Sequence, residues 1–123
     1  MINFSINFKT GIPIYEQVIY AVKKAIVTEQ LKPGDRFPSV RELSKELRIN
    51  PNTAQKIVTQ LVQQKILEIN PGIGSIISEQ SIATKEQREE ILNSEIERLV
   101  VEAKRLAIKK KELINAVEYH WKS

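Results

Sequence analysis

The chain contains no cysteine. That excludes a disulfide framework and any thiolate nucleophile, and it fits a cytoplasmic protein. A single histidine, His120, stands near the end, so the common zinc ligand sets have no donors, and neither metal nor cofactor is expected. No run of about 18 uncharged apolar residues occurs, so no membrane-spanning helix is expected. Met1-Ile2-Asn3-Phe4-Ser5 lacks the basic head and long apolar core of a signal peptide. No nucleophile elbow and no phosphate-cradling glycine loop ending in Lys-Ser or Lys-Thr is present. Glu89 and Glu90 are adjacent, point to different sides of a helix and form no catalytic carboxylate pair. These absences argue against an enzyme.

What remains is the composition of a soluble globular protein, 41% hydrophobic and 28% charged over 123 residues. That length suits one domain, or a domain of about 75 residues with an appendage. The net charge is +4 and the pI about 9.4. Residues 1–83 carry ten basic and seven acidic side chains, and residues 84–123 nine and eight, so the excess lies in the front part. A modest basic excess is compatible with nucleic acid and equally with ordinary solubility.

Along the chain, residues 1–12 suggest an extended arm. Pro13 suits the first turn of a helix, and Ile14, Val18, Val22, Ala25 and Ile26 recur at helical spacing to about Glu29. Leu31-Lys32-Pro33-Gly34-Asp35 is turn chemistry. Ser39-Val40-Arg41-Glu42 is a capping box opening a short second helix, with Val40, Leu43 and Leu47 on one face. After the turn Arg48-Ile49, Asn50 caps a third helix with Pro51 in its first position. Ala54, Ile57, Val58, Leu61 and Val62 line its inner face. Two helices joined by so short a turn describe a helix-turn-helix. Ile66, Leu67 and Ile69, then Ser75 to Ser78, flank the turn Asn70-Pro71-Gly72-Ile73-Gly74 and make a hairpin, or wing.

From Thr84 the chain becomes highly charged, with a long amphipathic helix expected from Glu86 to Leu106. Its stripe holds Ile91 or Leu92, then Ile96, Leu99, Val100, Ala103 and Leu106. A shorter helix follows from about Lys109 to Trp121, with Leu113, Ile114, Val117 and Trp121 on one face. Two helices have no core of their own, so these stripes call for a partner. The fold class is thus mostly α with a small β-hairpin. A winged helix-turn-helix domain is expected over residues 1–79, and a two-helix C-terminal dimerisation arm over 80–123.

Leu31-Lys32-Pro33-Gly34-Asp35-Arg36-Phe37-Pro38-Ser39-Val40-Arg41-Glu42-Leu43 resembles the GntR-family pattern of Leu-x-Pro-Gly followed by Leu-Pro-Ser-x-Arg-x-Leu. Asn50-Pro51-Asn52-Thr53-Ala54-Gln55-Lys56 resembles the start of the recognition helix in that family's YtrA-like branch, and Gly72-Ile73-Gly74-Ser75 sits where the family has its Gly-x-Gly wing. The short helical tail also resembles that branch. The resemblance covers about Pro13 to Ser78. It implies a dimeric transcription regulator, usually a repressor, on a pseudo-palindromic operator. The sequence departs from the pattern in three places. Arg48 replaces the usual turn glycine, at a cost of roughly 1 kcal/mol if the backbone there is left-handed. Pro51 and Gln55 stand where relatives carry arginines, and the wing has no basic residue.

The candidate DNA-contacting residues are Arg41, Pro51, Asn52, Thr53, Gln55, Lys56 and Gly72. Arg41 near the backbone crossing suits a bidentate phosphate contact. Asn52 and Gln55 suit adenine in the major groove, and Thr53 a phosphate. Capping is the plain alternative for Asn52 and Thr53, and the wing turn alone explains Gly74. Lys109-Lys110-Lys111 reads as a solvated helix start. The candidate dimer residues are Ile96, Leu99, Val100, Ala103, Leu106, Leu113, Val117 and Trp121. The expected partners are double-stranded DNA and a second copy, with any small-molecule effector unspecified. The competing function is a winged-helix protein-interaction module, which would need a more apolar recognition face.

Overall fold

The computed structural model describes residues 6–79 and 85–122. The first five residues of the arm, the segment 80–84 on which the expected domain boundary falls, and Ser123 lie outside them. Two units are present, Met1–Ser81 and Ile82–Ser123.

In the first unit Ile14–Val27 forms α1. Pro13 caps it from outside with φ −55° and ψ 144°, instead of entering the first turn. Val18, Ile19, Val22 and Ala25 are buried along it. The segment before it is a turn, not the extended arm that its mixed composition suggests. The Asn7 side chain accepts a hydrogen bond from Lys9 N (2.9 Å), a local Asx turn. Gln17 on α1 then fastens this turn. Its Oε1 accepts from Asn7 N (2.9 Å), and its amide donates to the Asn7 and Ile12 carbonyls (both 2.9 Å).

Val40–Leu47 forms α2 and Pro51–Gln63 forms α3, as the capping signals predict. Leu43 from α2 meets Ala54, Ile57, Val58 and Leu61 from α3 and the buried face of α1 in one core. Val62 is only half-buried. Burying each such aliphatic side chain contributes about 1.5–3 kcal/mol.

Leu67–Asn70 (β1) pairs antiparallel with Gly74–Ile77 (β2), Leu67 opposite Ile77. A two-stranded hairpin is marginal alone. Here Leu67 and Ile77 sink into the core, and the Pro-Gly-Asp-Arg-Phe segment lies along β2. Gly34 N donates to Ile77 O, Ile77 N to Asp35 O (both 2.8 Å) and Phe37 N to Ser75 O (2.9 Å). The turn that admits this segment closes from Asp35 N to Lys32 O (3.0 Å), with Gly34 at φ +91°, a conformation L side chains rarely adopt.

Four helices share one kind of ending. Glu29, Arg48, Lys65 and Ala107 all lie in the left-handed region, with φ of 62°, 53°, 60° and 59°. Beyond each, the next amide reaches back to the last turn: Gln30 to Ala25, Ile49 to Ser44, Ile66 to Leu61, Ile108 to Ala103. Glycine usually fills this position, and any other residue there costs roughly 1 kcal/mol.

In the second unit the long helix is interrupted. Lys85–Glu89 is α4, Glu90–Glu95 is a π-helical segment, and Ile96–Arg105 is α5. Ile96 N donates to Ile91 O, five residues back, where an α-helix would bond four back. The wider turn draws Ile91 towards the line of Ile96, whereas a straight α-helix would turn it to the far side. Lys110–Lys122 is α6. Ala103 is the buried residue of this unit, 5% exposed, among those described.

Candidate nucleic-acid interface

Arg41 projects from the first turn of α2 into solvent. The capping box fixes that turn. Ser39 Oγ accepts from Glu42 N (3.1 Å), and Glu42 Oε1 accepts from Ser39 N (3.2 Å). The hydrogen bond from the Ser39 backbone holds the Glu42 carboxyl below its ordinary range; the Ser39 hydroxyl adds to this, desolvation opposes it, and the Arg36 charge lowers it further. Among the described residues neither Arg41 nor Lys56 is tied into an ion pair.

At the start of α3 the structure separates capping from display. Asn50 is the cap: its Oδ1 accepts from Asn52 N at 2.8 Å. The Asn52 side chain makes no hydrogen bond of its own among the described residues and is exposed. Pro51 occupies the first helical position, and Thr53 is half-buried behind it. Gln55 is exposed, and its Nε2 donates to Thr59 Oγ1, one turn on, at 3.0 Å. That bond uses one of the two amide hydrogens, so the carbonyl and the other hydrogen stay open. Lys56 leans the other way, its Nζ 3.8 Å from the centre of the Tyr15 ring on α1. Asn52, Gln55, Lys56 and Thr59 therefore form one polar face, opposite the buried Ala54, Ile57, Val58 and Leu61.

Gly72 is at the tip of the hairpin. Ile73 N closes the turn onto Asn70 O at 3.0 Å, and Gly72 has φ +84°. The Pro71-Gly72 pair therefore makes a type II turn, which needs a positive φ at its third residue. Ile69 and Ile73 are exposed beside it.

Tyr15, Gln17 and Thr59 escape a reading of motifs. The spacing of Gln55 and Thr59 by four was a usable signal. Nothing local announces that Tyr15 meets Lys56.

A three-helix core that displays a polar, freshly capped helix beside a glycine-tipped hairpin is a winged helix-turn-helix, a DNA-binding architecture. The model of the bacterial regulatory proteins of the gntR family matches residues 14–77. The chain belongs to the GntR family and is a YtrA-like transcription regulator, not an enzyme. It is 35% identical over 99 residues to the HTH-type transcriptional repressor YtrA of Bacillus subtilis, covering 80% of this chain and 76% of that protein. It is 30% identical over 112 residues to the uncharacterized HTH-type transcriptional regulator YhcF of the same organism, covering 91% and 93%. A solved structure of a transcriptional antiterminator from Listeria monocytogenes superposes with a TM-score of 0.88 at 25% identity, over 97% of this chain and 90% of that one. No helix among the described residues is long and apolar enough to cross a membrane.

Proposed function

We propose that the chain acts in the cytoplasm as a repressor, binding a pseudo-palindromic operator in double-stranded DNA as a homodimer. The observation that carries this reading is the start of α3. Because Asn50 does the capping, the amide of Asn52 is free to meet base edges, with Gln55 beside it. Pro51 sets the approach of that turn, Thr53 and Arg41 grip phosphates, and the small tip at Gly72 lets the wing backbone come close. In this reading residues 1–79 bind DNA and residues 80–123 pair two copies.

The pairing rests on the tail. Ile96, Leu99, Leu106, Ile114, Val117 and Trp121 are exposed, and Val100 and Leu113 are half-buried. So many large apolar side chains exposed on two helices are unusual on a monomer. A two-fold contact buries them from both chains at once. Ala103, one of the expected dimer residues, is already buried within its own chain.

The exposed Ile69 and Ile73 favour a second reading, a wing that docks on protein. A gel-shift titration with random duplex at 50 mM and 200 mM salt separates the two, these being about the salts between which phosphate-driven binding weakens steeply. DNA binding predicts affinity that falls with salt and an Arg41→Ala variant with a flatter slope. Absence of binding at low salt favours the protein-docking wing.

A further inference from the structure

We infer that Lys56 grips a DNA phosphate rather than reading a base, and that Tyr15 is the positioning residue that holds it for that contact. This rests on the DNA-binding reading above.

Lys56 stands one residue, about 100°, round α3 from Gln55. The two side chains are held apart. Gln55 is fastened along the helix to Thr59, whereas the Lys56 ammonium lies 3.8 Å from the ring centre of Tyr15, off the flank of α3 that packs on α1. Tyr15 is half-buried and packs against the core, so its ring is a fixed platform. Its negative face attracts the cation and draws it from the middle of the exposed face towards one edge. In a helix laid in the major groove, the middle of the outer face meets base edges and the flanks meet the sugar-phosphate backbone. Lysine suits the second place. It is a compact point charge with three donors and lacks the planar fork that reads a base in bidentate fashion. No carboxylate among the described residues neutralises it. The ring covers one side of the ammonium and leaves the rest open for a phosphate oxygen. Among the described residues the Tyr15 hydroxyl reaches only Glu16 Oε1, at 3.4 Å, so the ring and not the hydroxyl does the positioning.

The test uses the full chain, a random-sequence duplex, and the duplex that the unaltered chain enriches from a random pool. Lys56→Ala is expected to weaken both alike, to lower the salt slope by about 0.9, and to leave the enriched sequence unchanged. Tyr15→Leu keeps the charge, so it is expected to weaken binding about two- to fivefold with the slope retained. Tyr15→Phe, which keeps the ring, recovers that loss. In a Lys56→Ala background Tyr15→Leu adds no further loss, which a merely structural role for Tyr15 would not produce. A changed base at one operator position in Lys56→Ala, full affinity in Tyr15→Leu, or additive losses in the double variant would overturn the inference. If instead the unaltered chain binds neither duplex, the DNA-binding reading itself fails and this inference with it.

Discussion

The front unit and the tail are both built from amphipathic helices with comparable stripes of Ile, Leu and Val, and they treat those stripes differently. In the front unit three helices and a hairpin close over Val18, Val22, Leu43, Ile57, Leu61, Leu67 and Ile77, which are almost fully buried. In the tail Leu99 stays 43% exposed and Trp121 86% exposed. The number of faces explains the contrast. Three helices and a sheet can surround a core, and two helices cannot. The front unit therefore has a core of its own, and the tail leaves most of its stripe exposed.

The sharpest way to break this contrast is Leu99→Glu. If a second copy covers the tail, the charge dissociates the dimer and removes the gain from holding two binding units together. Operator affinity then falls by about 10²–10⁴-fold, while the front unit keeps its melting transition. Sedimentation and gel shift read the two halves of that statement separately. The counterpart in the front unit is Leu61→Ala. It is expected to cost about 2–5 kcal/mol of stability in thermal or urea unfolding, because the neighbours cannot collapse into the space. The same truncation at Leu106, which is exposed in the single chain, is expected to lower stability only at protein concentrations where the dimer forms.

Smaller effects test local structure. Ser39→Ala removes the cap beside Arg41 and is expected to cost about 1 kcal/mol in unfolding experiments. The Glu42 half of the box gives a pH signature. Its carboxyl is held below the ordinary range in the folded chain. Its contribution is therefore fully present at neutral pH, begins to fade near the ordinary glutamate value of about 4.3, and is gone below the lowered folded value. Glu42→Gln flattens that acid-side loss. The least effect comes from the helix ends. Arg48→Gly and Ala107→Gly are each expected to stabilise by up to about 1 kcal/mol, by relieving the left-handed backbone. Arg48→Gly should raise the melting point of the front unit and Ala107→Gly should not.

The same two regions differ in how much of them a sequence discloses. Ser39, Glu42, Asn50 and Pro51 act within three residues of themselves, so the helix-turn-helix is legible from them directly. The polar face of α3 follows, because the buried Ala54, Ile57, Val58 and Leu61 fix which side is inward. Contacts that span distant positions were not legible. Gln17 fastening Asn7 and Lys56 resting on Tyr15 depend on how α1 packs, and no local pattern encodes that. Turn chemistry is legible from Leu31 to Asp35, but the pairing of Asp35 and Phe37 with β2 is not, since the partner lies some forty residues on. The π-helical turn carries no distinctive residue. Its trace in the sequence is the ambiguity between Ile91 and Leu92: the wider turn brings Ile91 towards the line of Ile96, where Leu92 already lies. Glu29, Lys65 and Ala107 were equally silent, because the glycine that marks a left-handed helix end is missing at all three.

The most direct measurement is selection of bound DNA from a random duplex pool by the intact chain, followed by sequencing of what is retained. The account predicts an enriched inverted repeat, two copies of one short motif at a fixed spacing of about 10 base pairs or a multiple of it, since two recognition helices held by a two-fold axis read symmetric half-sites. A pool that stays random, or one that enriches a single motif with no second copy at fixed spacing, would contradict it.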